Sequence, residues 1–345
     1  MVATILPCPA HHPDPTVVER AAAAIRDGRL VAIPTETVYG LAADALDLDA
    51  VRAIFEAKGR PPTDPLIVHV DGLDMLTRVV DGPLPPPAAL LVEAFWPGPL
   101  TLVVPRNAAV PAAVSSGLAT VAVRCPSHPV AAAVITAAGT PVAAPSANRF
   151  GQISPTSADH VFVELGDRID LIVDAGRADR GLESTVVAFD GDEAVILRPG
   201  AITAEQLADV VAVREVRRAS GETNASPGHD ERHYSPRTPT LTVAASFDPA
   251  SAPTAGDVVY AGYADRAPTL PDGWRFESLG PLADLDTVAH DLYDGLRRID
   301  GTHPSLILVE LTGATGIGRA IDDRLTRAGS SIVLAHADEL AGRLG

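Results

Sequence analysis

The sequence contains very little lysine, because Lys58 is the only lysine among its 27 basic residues. A chain that uses arginine elsewhere is expected to keep lysine where a compact, strongly hydrated ammonium is needed. Arg60 follows two residues later, at a predicted helix end before the extended segment LIVHV. Two cations at such a turn favour an anion site on the surface of a cleft, for example a triphosphate site. The alternative is that they only balance the helix dipole.

Cysteine is also scarce. Cys8 and Cys125 lie far apart and form no CxxC, which argues against a disulfide framework or a cysteine zinc site and favours a reducing compartment. The N-terminus lacks a basic region followed by a long apolar stretch, and no segment reaches the length needed to span a bilayer. We therefore expect a soluble, cytoplasmic protein with no membrane partner.

Basic charge is low overall, since the net charge is −17. This argues against an extended nucleic-acid surface, which needs clustered cations to displace counterions from phosphates. The length of 345 residues predicts two domains. Strand and helix patterns alternate in both halves, which is typical of α/β folds.

A polar segment rich in proline, glycine and serine, residues 219–239, separates the two predicted domains, 1–218 and 240–345. Its composition is that of a linker. It also contains the cluster HDERHY, so a strap that folds over the cleft of the first domain is an equal alternative. Beyond it, the pattern predicts a small parallel α/β layer.

Capping patterns predict where three helices begin. Thr16, with Glu19 three residues later, is expected to start the first helix, and Asp49 is expected to cap the second. Thr203 and Gln206 form a capping box for the last helix of the first domain.

Polar residues follow several predicted strands. Thr37 comes after the buried strand LVAIPT, at the strand end where open α/β sheets bind ligands. Thr120 and Arg124 share one face of another strand, and Arg124 is either a surface arginine or a buried carboxylate clamp. Ser146 and Asn148 follow a third strand, where they are either anion donors or ordinary turn formers.

Nucleotide motifs based on glycine are absent or incomplete. No GxxxxGK[ST] occurs, so a nucleotide would be held without a P-loop. The segment LTGATGIGRAI, residues 311–321, is similar to the glycine turn of a dehydrogenase and would indicate a nicotinamide oxidoreductase. It has one residue too few, and the chain after it is too short for a dinucleotide fold. We interpret these glycines as a loop and a helix start.

Taken in order, seven segments resemble the YrdC-like family: PTETVYGLAAD, KGRPPTDPLIVHV, WPGPLTLVV, TVAVRCPSHP, PVAAPSAN, ESTVV and ILRPG. The segment SPGHDERHYSP and the C-terminal α/β region resemble the two-domain members of that family. The resemblance covers nearly the whole chain. It implies a twisted open α/β sheet with a large concave cleft, plus a smaller Rossmann-like parallel domain. The implied reaction joins L-threonine, bicarbonate and ATP into threonylcarbamoyl-AMP and pyrophosphate, for modification of a tRNA adenosine next to the anticodon.

The resemblance also implies roles for particular residues. The K-x-R and S-x-N elements of the family fall on Lys58, Arg60, Ser146 and Asn148, which are the implied catalytic residues. The implied threonine contacts are Thr37, His69, Arg124, the main chain at Ala144, and Ser184. The implied ATP contacts are Arg60, Asp64, Thr120, Ser146, Ser154, Arg198 and Tyr234. Asp64 departs from the asparagine that is usual there, and a carboxylate would repel a triphosphate unless Mg²⁺ or an arginine intervenes.

The implied cofactor is Mg²⁺ bound with ATP, and no residue is identified as a dedicated metal ligand. The implied partners are the small-molecule substrates and a downstream tRNA threonylcarbamoyl transferase complex, with tRNA contacted at most indirectly. The alternative function is an RNA-binding or ribosome-associated YrdC-like module without adenylation activity. The acidic charge favours the enzyme over the RNA-binding module.

Overall fold

The computed structural model describes residues 2–215, 233–252, 256–329 and 332–341. They belong to two compact units. The first comprises residues 2–150 and 154–215, and the second comprises residues 151–153 and the described residues from 233 onward. Residues 219–232 of the predicted linker lie outside the described residues. Within the described part of the chain, no helix is long and apolar enough to cross a membrane.

The first unit is built on one large mixed sheet. Its strands are Thr4–Pro7 (β1), Val31–Ile33 (β2), Gly40–Asp44 (β3), Ile67–His69 (β4), Leu100–Pro105 (β5), Thr120–Arg124 (β6), Val142–Ala143 (β7), Leu171–Asp174 (β8), Thr185–Asp190 (β9), Glu193–Arg198 (β10) and Ala212–Glu215 (β11). Among the described residues their order is β1-β8-β2-β3-β7-β4-β6-β5-β9-β10-β11. The central strands are short and buried on both faces, which suits their runs of valine, isoleucine and alanine.

Helices flank this sheet. They are Pro15–Arg26 (α1), Leu48–Lys58 (α2), Leu73–Leu76 (α3), Pro86–Phe95 (α4), Pro129–Ala138 (α5), Ala158–Leu165 (α6) and Ala204–Ala208 (α7). The capping box that Thr203 and Gln206 predict is present at α7.

The predicted starts of α1 and α2 are wrong by a few residues. Asp14, not Thr16, caps α1, and its Oδ1 accepts the N–H of Thr16 at 2.8 Å. Pro15 is then the first helical residue, where its fixed φ fits and its missing N–H costs nothing. Asp47, not Asp49, caps α2, because its carboxylate accepts the N–H groups two and three residues later.

The second unit is a smaller, all-parallel sheet with helices, as the sequence predicts. Its strands are Thr240–Val243 (β12), Val258–Gly262 (β13), Trp274–Ser278 (β14), Leu306–Glu310 (β15) and Val333–Leu334 (β16), in the order β14-β13-β15-β12-β16. Its helices are Leu285–Asp300 (α8), Ile317–Ala328 (α9) and Ala337–Ala341 (α10). The glycines of LTGATGIG form a loop and the start of α9, which confirms their interpretation.

The short segment 151–153 belongs to the second unit, which the sequence does not predict. The N–H of Ser235 donates to the carbonyl of Gly151 at 2.8 Å, and Gln152 forms a parallel bridge with Ser235. Arg297 of α8 donates to the carbonyl of Ile153.

Candidate active site

The end of α2 directs Lys58 into the first unit. Gly59 follows in a left-handed conformation, with φ of 63°, which ends the helix and turns the chain. The Nζ of Lys58 donates hydrogen bonds to the carbonyl oxygens of Ser146 and Asn148, at 2.5 and 2.6 Å. The lysine therefore brings together the K-x-R and S-x-N elements, which are far apart in the sequence.

Both cations of the K-x-R element are buried, so the expectation that they lie on the surface of a cleft is wrong. Lys58 and Arg60 expose only 3% and 6% of their surface. Burial, with a smaller contribution from Arg60, holds the pKa of Lys58 well below its ordinary value, and Asp64 and Glu164 partly oppose this. The two carbonyl oxygens that Lys58 contacts replace only part of the lost solvation of its ammonium.

Arg60 is held by its own turn. Its Nε donates to the carbonyl of Asp64 at 3.0 Å, and its Nη2 donates to the carbonyl of Pro65 at 2.6 Å. The same Nη2 lies 2.9 Å from Oδ2 of Asp64, in a fully buried ion pair. The repulsion expected between Asp64 and a triphosphate is thus offset by a neighbouring arginine. The guanidinium also lies 5.9 Å from the ring centre of Phe150.

Arg124 ends β6 and is buried, so its interpretation as a surface arginine is wrong. Its Nη1 donates to Oγ1 of Thr37 at 2.8 Å, and its Nε donates to the carbonyl of Gly98 at 3.2 Å. Its Nη2 forms an ion pair with Oε1 of Glu36 at 2.6 Å. Burial raises the pKa of Glu36, but Arg124, together with the backbone N–H groups of Ser127 and Glu36, more than reverses this and leaves the pKa below its usual value. Glu36 is therefore a carboxylate at neutral pH.

His69 ends β4 and lies directly opposite Arg124 in the parallel register of β4 and β6. Burial, followed by the charge of Arg124, lowers the pKa of His69 to about 3. The imidazole is therefore neutral at physiological pH. Its Nδ1 is buried and has no hydrogen-bond partner among the described residues. Thr37, His69 and Arg124 thus lie together, and whether they contact threonine stays a prediction.

The loop between β2 and β3, residues 34–39, connects these groups. Oγ1 of Thr35 donates to the carbonyl of Val38 at 2.6 Å and fixes the loop internally. The N–H of Tyr39 donates to the carbonyl of Pro155 at 2.9 Å, and the carbonyl of Tyr39 accepts the N–H of Ala147 at 2.8 Å. The loop therefore contacts both the S-x-N segment and the chain that follows it.

A third group surrounds the ESTVV segment. The hydroxyl groups of Ser184 and Thr101 lie 2.7 Å apart, and Nη2 of Arg198 donates to the carbonyl of Ser184 at 3.0 Å. Oγ of Ser154 donates to Oε1 of Glu183 at 2.6 Å. Ser184 and Arg198 thus share buried contacts, and Ser154 contacts the residue that precedes Ser184. Whether they contact substrates stays a prediction.

Three other predicted residues stand apart from these contacts. Thr120 begins β6, at the opposite end of the strand from Arg124, and is only half-buried. The N–H of Ala144 donates to the carbonyl of Ile67 at 2.9 Å. Tyr234 belongs to the second unit. The ligand contacts implied for these three residues stay predictions.

Sequence reasoning missed Glu36, Thr101 and Glu183 as members of these networks. Glu36 and Glu183 each precede an implied threonine contact, Thr37 and Ser184, and this adjacency is the only signal the sequence offers for them. Charged residues are rarely buried unless they are paired. Their partners lie far away in the chain, so the pairing is visible only after folding.

The described residues contain no group of three or more histidine, cysteine, aspartate or glutamate side chains that could hold a metal ion. The carboxylate beside the K-x-R element, Asp64, is already paired with Arg60. Within the described part of the chain, the site therefore does not supply a dedicated metal cage. Mg²⁺ is usually bound through substrate phosphates with only one or two carboxylates, and the Mg²⁺ that the resemblance implies stays a prediction.

Comparisons with known proteins identify the family. A Sua5/YciO/YrdC family model, described as "Telomere recombination", matches residues 23–200. A model described as "Threonylcarbamoyl-AMP synthase, C-terminal domain" matches residues 202–330. The chain belongs to the Sua5/YciO/YrdC family, because the first match alone covers more than half of it. More particularly, it is a two-domain YrdC-like enzyme of the nucleotidyltransferase type.

Relatives of nearly equal length support this assignment. The chain is 41% identical to a threonylcarbamoyl-AMP synthase of Bacillus subtilis over 330 residues, which is 93% of this chain and 95% of the relative. It is 39% identical to one from Pyrococcus abyssi over 317 residues, or 89% and 92% of the two chains. The solved structure of P. abyssi Sua5 complexed with L-threonine matches with a TM-score of 0.85 at 34% identity, over 96% of this chain and 99% of that one. The predicted fold class is thereby confirmed.

Proposed function

We propose that this chain joins L-threonine, bicarbonate or CO₂, and ATP into L-threonylcarbamoyl-AMP and pyrophosphate. The names of its full-length relatives and the threonine complex of a structural neighbour support this. The observation that carries the proposal is the contact of Lys58 with the carbonyl oxygens of Ser146 and Asn148. That contact unites the two elements implied for phosphate binding around one buried cation.

The chemistry explains why such a site needs cations more than a general base. The ammonium of threonine first loses a proton to water, and the neutral amine then adds to CO₂ and releases a second proton to give a carbamate. An oxygen of the carbamate attacks the α-phosphorus of ATP while pyrophosphate leaves. Both reactants are anionic, so buried cations lower the cost of bringing them together. A closed pocket also keeps the fragile carbamate away from water.

In this proposal Arg124 binds the carboxylate of threonine, because a guanidinium offers paired N–H donors that match a carboxylate. Thr37 already holds one terminal nitrogen of that guanidinium. His69, neutral and with an unbonded Nδ1 among the described residues, offers an acceptor for an amine or hydroxyl of the amino acid. Ser184 and the main chain at Ala144 complete the proposed threonine site.

ATP is proposed to bind against the K-x-R and S-x-N elements. Lys58, Arg60 and Arg198 supply positive charge for the phosphates, and Mg²⁺ accompanies the nucleotide. The remaining proposed ATP contacts are Asp64, Thr120, Ser146, Ser154 and Tyr234.

The product is a mixed anhydride of a carbamic acid and AMP, which is a reactive acyl donor. A transferase must therefore consume it, and we propose that this transferase is the tRNA threonylcarbamoyl transferase complex. This chain would then contact tRNA at most indirectly. We expect these steps to take place in the cytoplasm.

The test is pyrophosphate release measured with the full-length chain. It should require ATP, L-threonine and bicarbonate together, and it should be lost in Arg60→Ala. Arg52→Ala is the matched control, because Arg52 is exposed on the same helix that precedes Arg60. Pyrophosphate release that does not require both threonine and bicarbonate would rule the proposal out.

A further inference from the structure

The guanidinium of Arg124 has a defined number of donors left for a ligand. An arginine side chain has five N–H donors. Two of them form hydrogen bonds, to the carbonyl of Gly98 and the hydroxyl of Thr37, and a third faces the carboxylate of Glu36 in an ion pair. One N–H then remains on each terminal nitrogen, and a bidentate carboxylate uses such a pair.

Glu36 already neutralises the positive charge of Arg124, the proposed carboxylate clamp. The side chains of Arg124 and Glu36 expose only 4% and 6% of their surface, and their charged atoms lie 2.6 Å apart. A ligand carboxylate that joins Arg124 therefore adds an uncompensated negative charge to a buried pair. Burying such a charge is costly unless a positive charge comes with it. An α-amino acid brings that positive charge as its ammonium.

Two acceptors beside the clamp match an ammonium group. Among the described residues, neither oxygen of Glu36 forms a hydrogen bond of normal geometry, although the N–H groups of Ser127 and of Glu36 itself lie near enough to lower its pKa, and Nδ1 of His69 forms none either. His69 is held opposite Arg124 by the register of β4 and β6. Buried acceptors of this kind are normally satisfied, so they suit a ligand with N–H donors.

We propose that Glu36 is a specificity-determining residue that makes the Arg124 clamp select amino acids carrying an ammonium and reject carboxylates that lack one. This inference rests on the proposed function, in which Arg124 binds the carboxylate of threonine. It extends that function, because it names Glu36 as the group that binds the ammonium of the amino acid.

The competing explanation is that Glu36 only holds Arg124 in place. In that case its loss would weaken every carboxylate ligand by the same factor. In the selective role, its loss weakens threonine but not a ligand that lacks the ammonium. The ratio of the two affinities therefore separates the explanations.

The experiment is calorimetric titration of the full-length chain with L-threonine and with 2,3-dihydroxybutanoate, in which a hydroxyl replaces the ammonium. Wild type should prefer threonine by more than about tenfold. In Glu36→Gln, threonine affinity should fall by about tenfold or more while the affinity for the hydroxy acid stays constant or rises. The control is Glu56→Gln, the same change at an exposed position, which should keep the wild-type ratio.

A second variant keeps the test decisive if Glu36→Gln does not fold. Glu36→Asp retains the charge, so it should keep the preference for threonine within about threefold. Equal weakening of both ligands in Glu36→Gln, no change in either, or a folded Glu36→Asp without preference would each overturn the inference. Wild type that binds no threonine would instead refute the proposed function, and the inference would fall with it.

Discussion

At the scale of single residues, Lys58 combines a structural and a chemical role. Its ammonium donates hydrogen bonds to the carbonyl oxygens of Ser146 and Asn148. Hydrogen bonds to a charged group contribute roughly 1.5–3 kcal/mol to stability. Lys58→Ala should therefore lower the free energy of unfolding by about 2 kcal/mol as well as abolish pyrophosphate release. Urea unfolding and the release assay, run at a temperature where the variant is folded, measure the two effects separately.

The control for this change is Arg52→Ala, which removes a neighbouring cation from an exposed position of the same helix. Arg52→Ala should alter neither the free energy of unfolding nor pyrophosphate release. If Lys58→Ala unfolds at the wild-type urea concentration, the carbonyl contacts are not stabilising. If it also retains turnover, Lys58 is not part of the active site.

The lowered pKa of His69 predicts that the stability of the protein depends on pH. Its folded pKa is about 3, whereas the unfolded value is near 6.5, so only the unfolded state gains its proton as pH falls through 6.5. His69 should therefore cost stability below pH 6.5, by up to about 1.4 kcal/mol per pH unit. His69→Gln should remove this dependence. Urea unfolding at pH 7.5, 6 and 5 measures the difference between the two proteins.

The comparison isolates His69, because every other titratable group is common to both proteins. The buried His128, whose pKa burial also lowers, contributes equally to each. Parallel stability curves for wild type and His69→Gln would mean that His69 gains a proton in the folded state as readily as in the unfolded state.

The sequence predicts the residue types of the site better than their pairing. The single lysine and the K-x-R element can be identified from the sequence alone, whereas the contact of Lys58 with the S-x-N element is found only in the structure. Arg124 can be buried because Glu36 pairs with it. The two residues meet only after β2 and β6 join the same sheet. Burial is a property of the whole fold, so local sequence patterns cannot decide it.

At the scale of elements, local capping signals are predictive where one candidate stands alone and ambiguous where two compete. The capping box at α7 is found as predicted. At α1, both Asp14 and Thr16 are good N-cap residues, and Pro15 decides in favour of Asp14 because it fits the first helical position. The segment 151–153 could not be assigned to the second unit, since its contacts are main-chain bonds to distant residues.

The turn after α2 gives a prediction for Gly59. Its φ of 63° is unfavourable for residues with a Cβ, although no atom within 4 Å would clash with one. Gly59→Ala should therefore cost about 1–2 kcal/mol of stability through backbone strain alone. It should also reduce pyrophosphate release, because the turn orients Lys58 and Arg60. Urea unfolding and the release assay measure the two effects.

Gly72→Ala is the matched control. The position that a Cβ would occupy at Gly72 is also open, since no atom of the described residues lies within 4 Å of it, but the φ of 165° is extended backbone that any residue adopts. Its replacement should change stability by less than about 0.5 kcal/mol. Equal effects of the two substitutions would show that the left-handed turn is not the cause.

At the scale of the whole molecule, the second unit holds Tyr234 in an unusual conformation. Its φ is 62°, which is rare for a bulky residue and is often found at functional positions. Its side chain is 1% exposed, and its ring stacks 5.8 Å from the ring of Tyr293 and lies 5.2 Å from the guanidinium of Arg324. Packing within this unit therefore stabilises a strained residue that the family resemblance implies for ATP binding.

Two substitutions of Tyr234 separate packing from ligand binding. Tyr234→Ala removes a buried ring and should destabilise the second unit by about 3 kcal/mol. Tyr234→Phe keeps the ring between Tyr293 and Arg324, so its melting temperature should stay close to that of wild type. If the phenol hydroxyl contacts the nucleotide, Tyr234→Phe should nevertheless weaken ATP binding by about threefold to tenfold. Calorimetry of unfolding and ATP titration of the full-length proteins measure these effects. Wild-type ATP affinity in Tyr234→Phe would exclude the hydroxyl from the site, and wild-type affinity in a folded Tyr234→Ala would leave Tyr234 with a structural role alone.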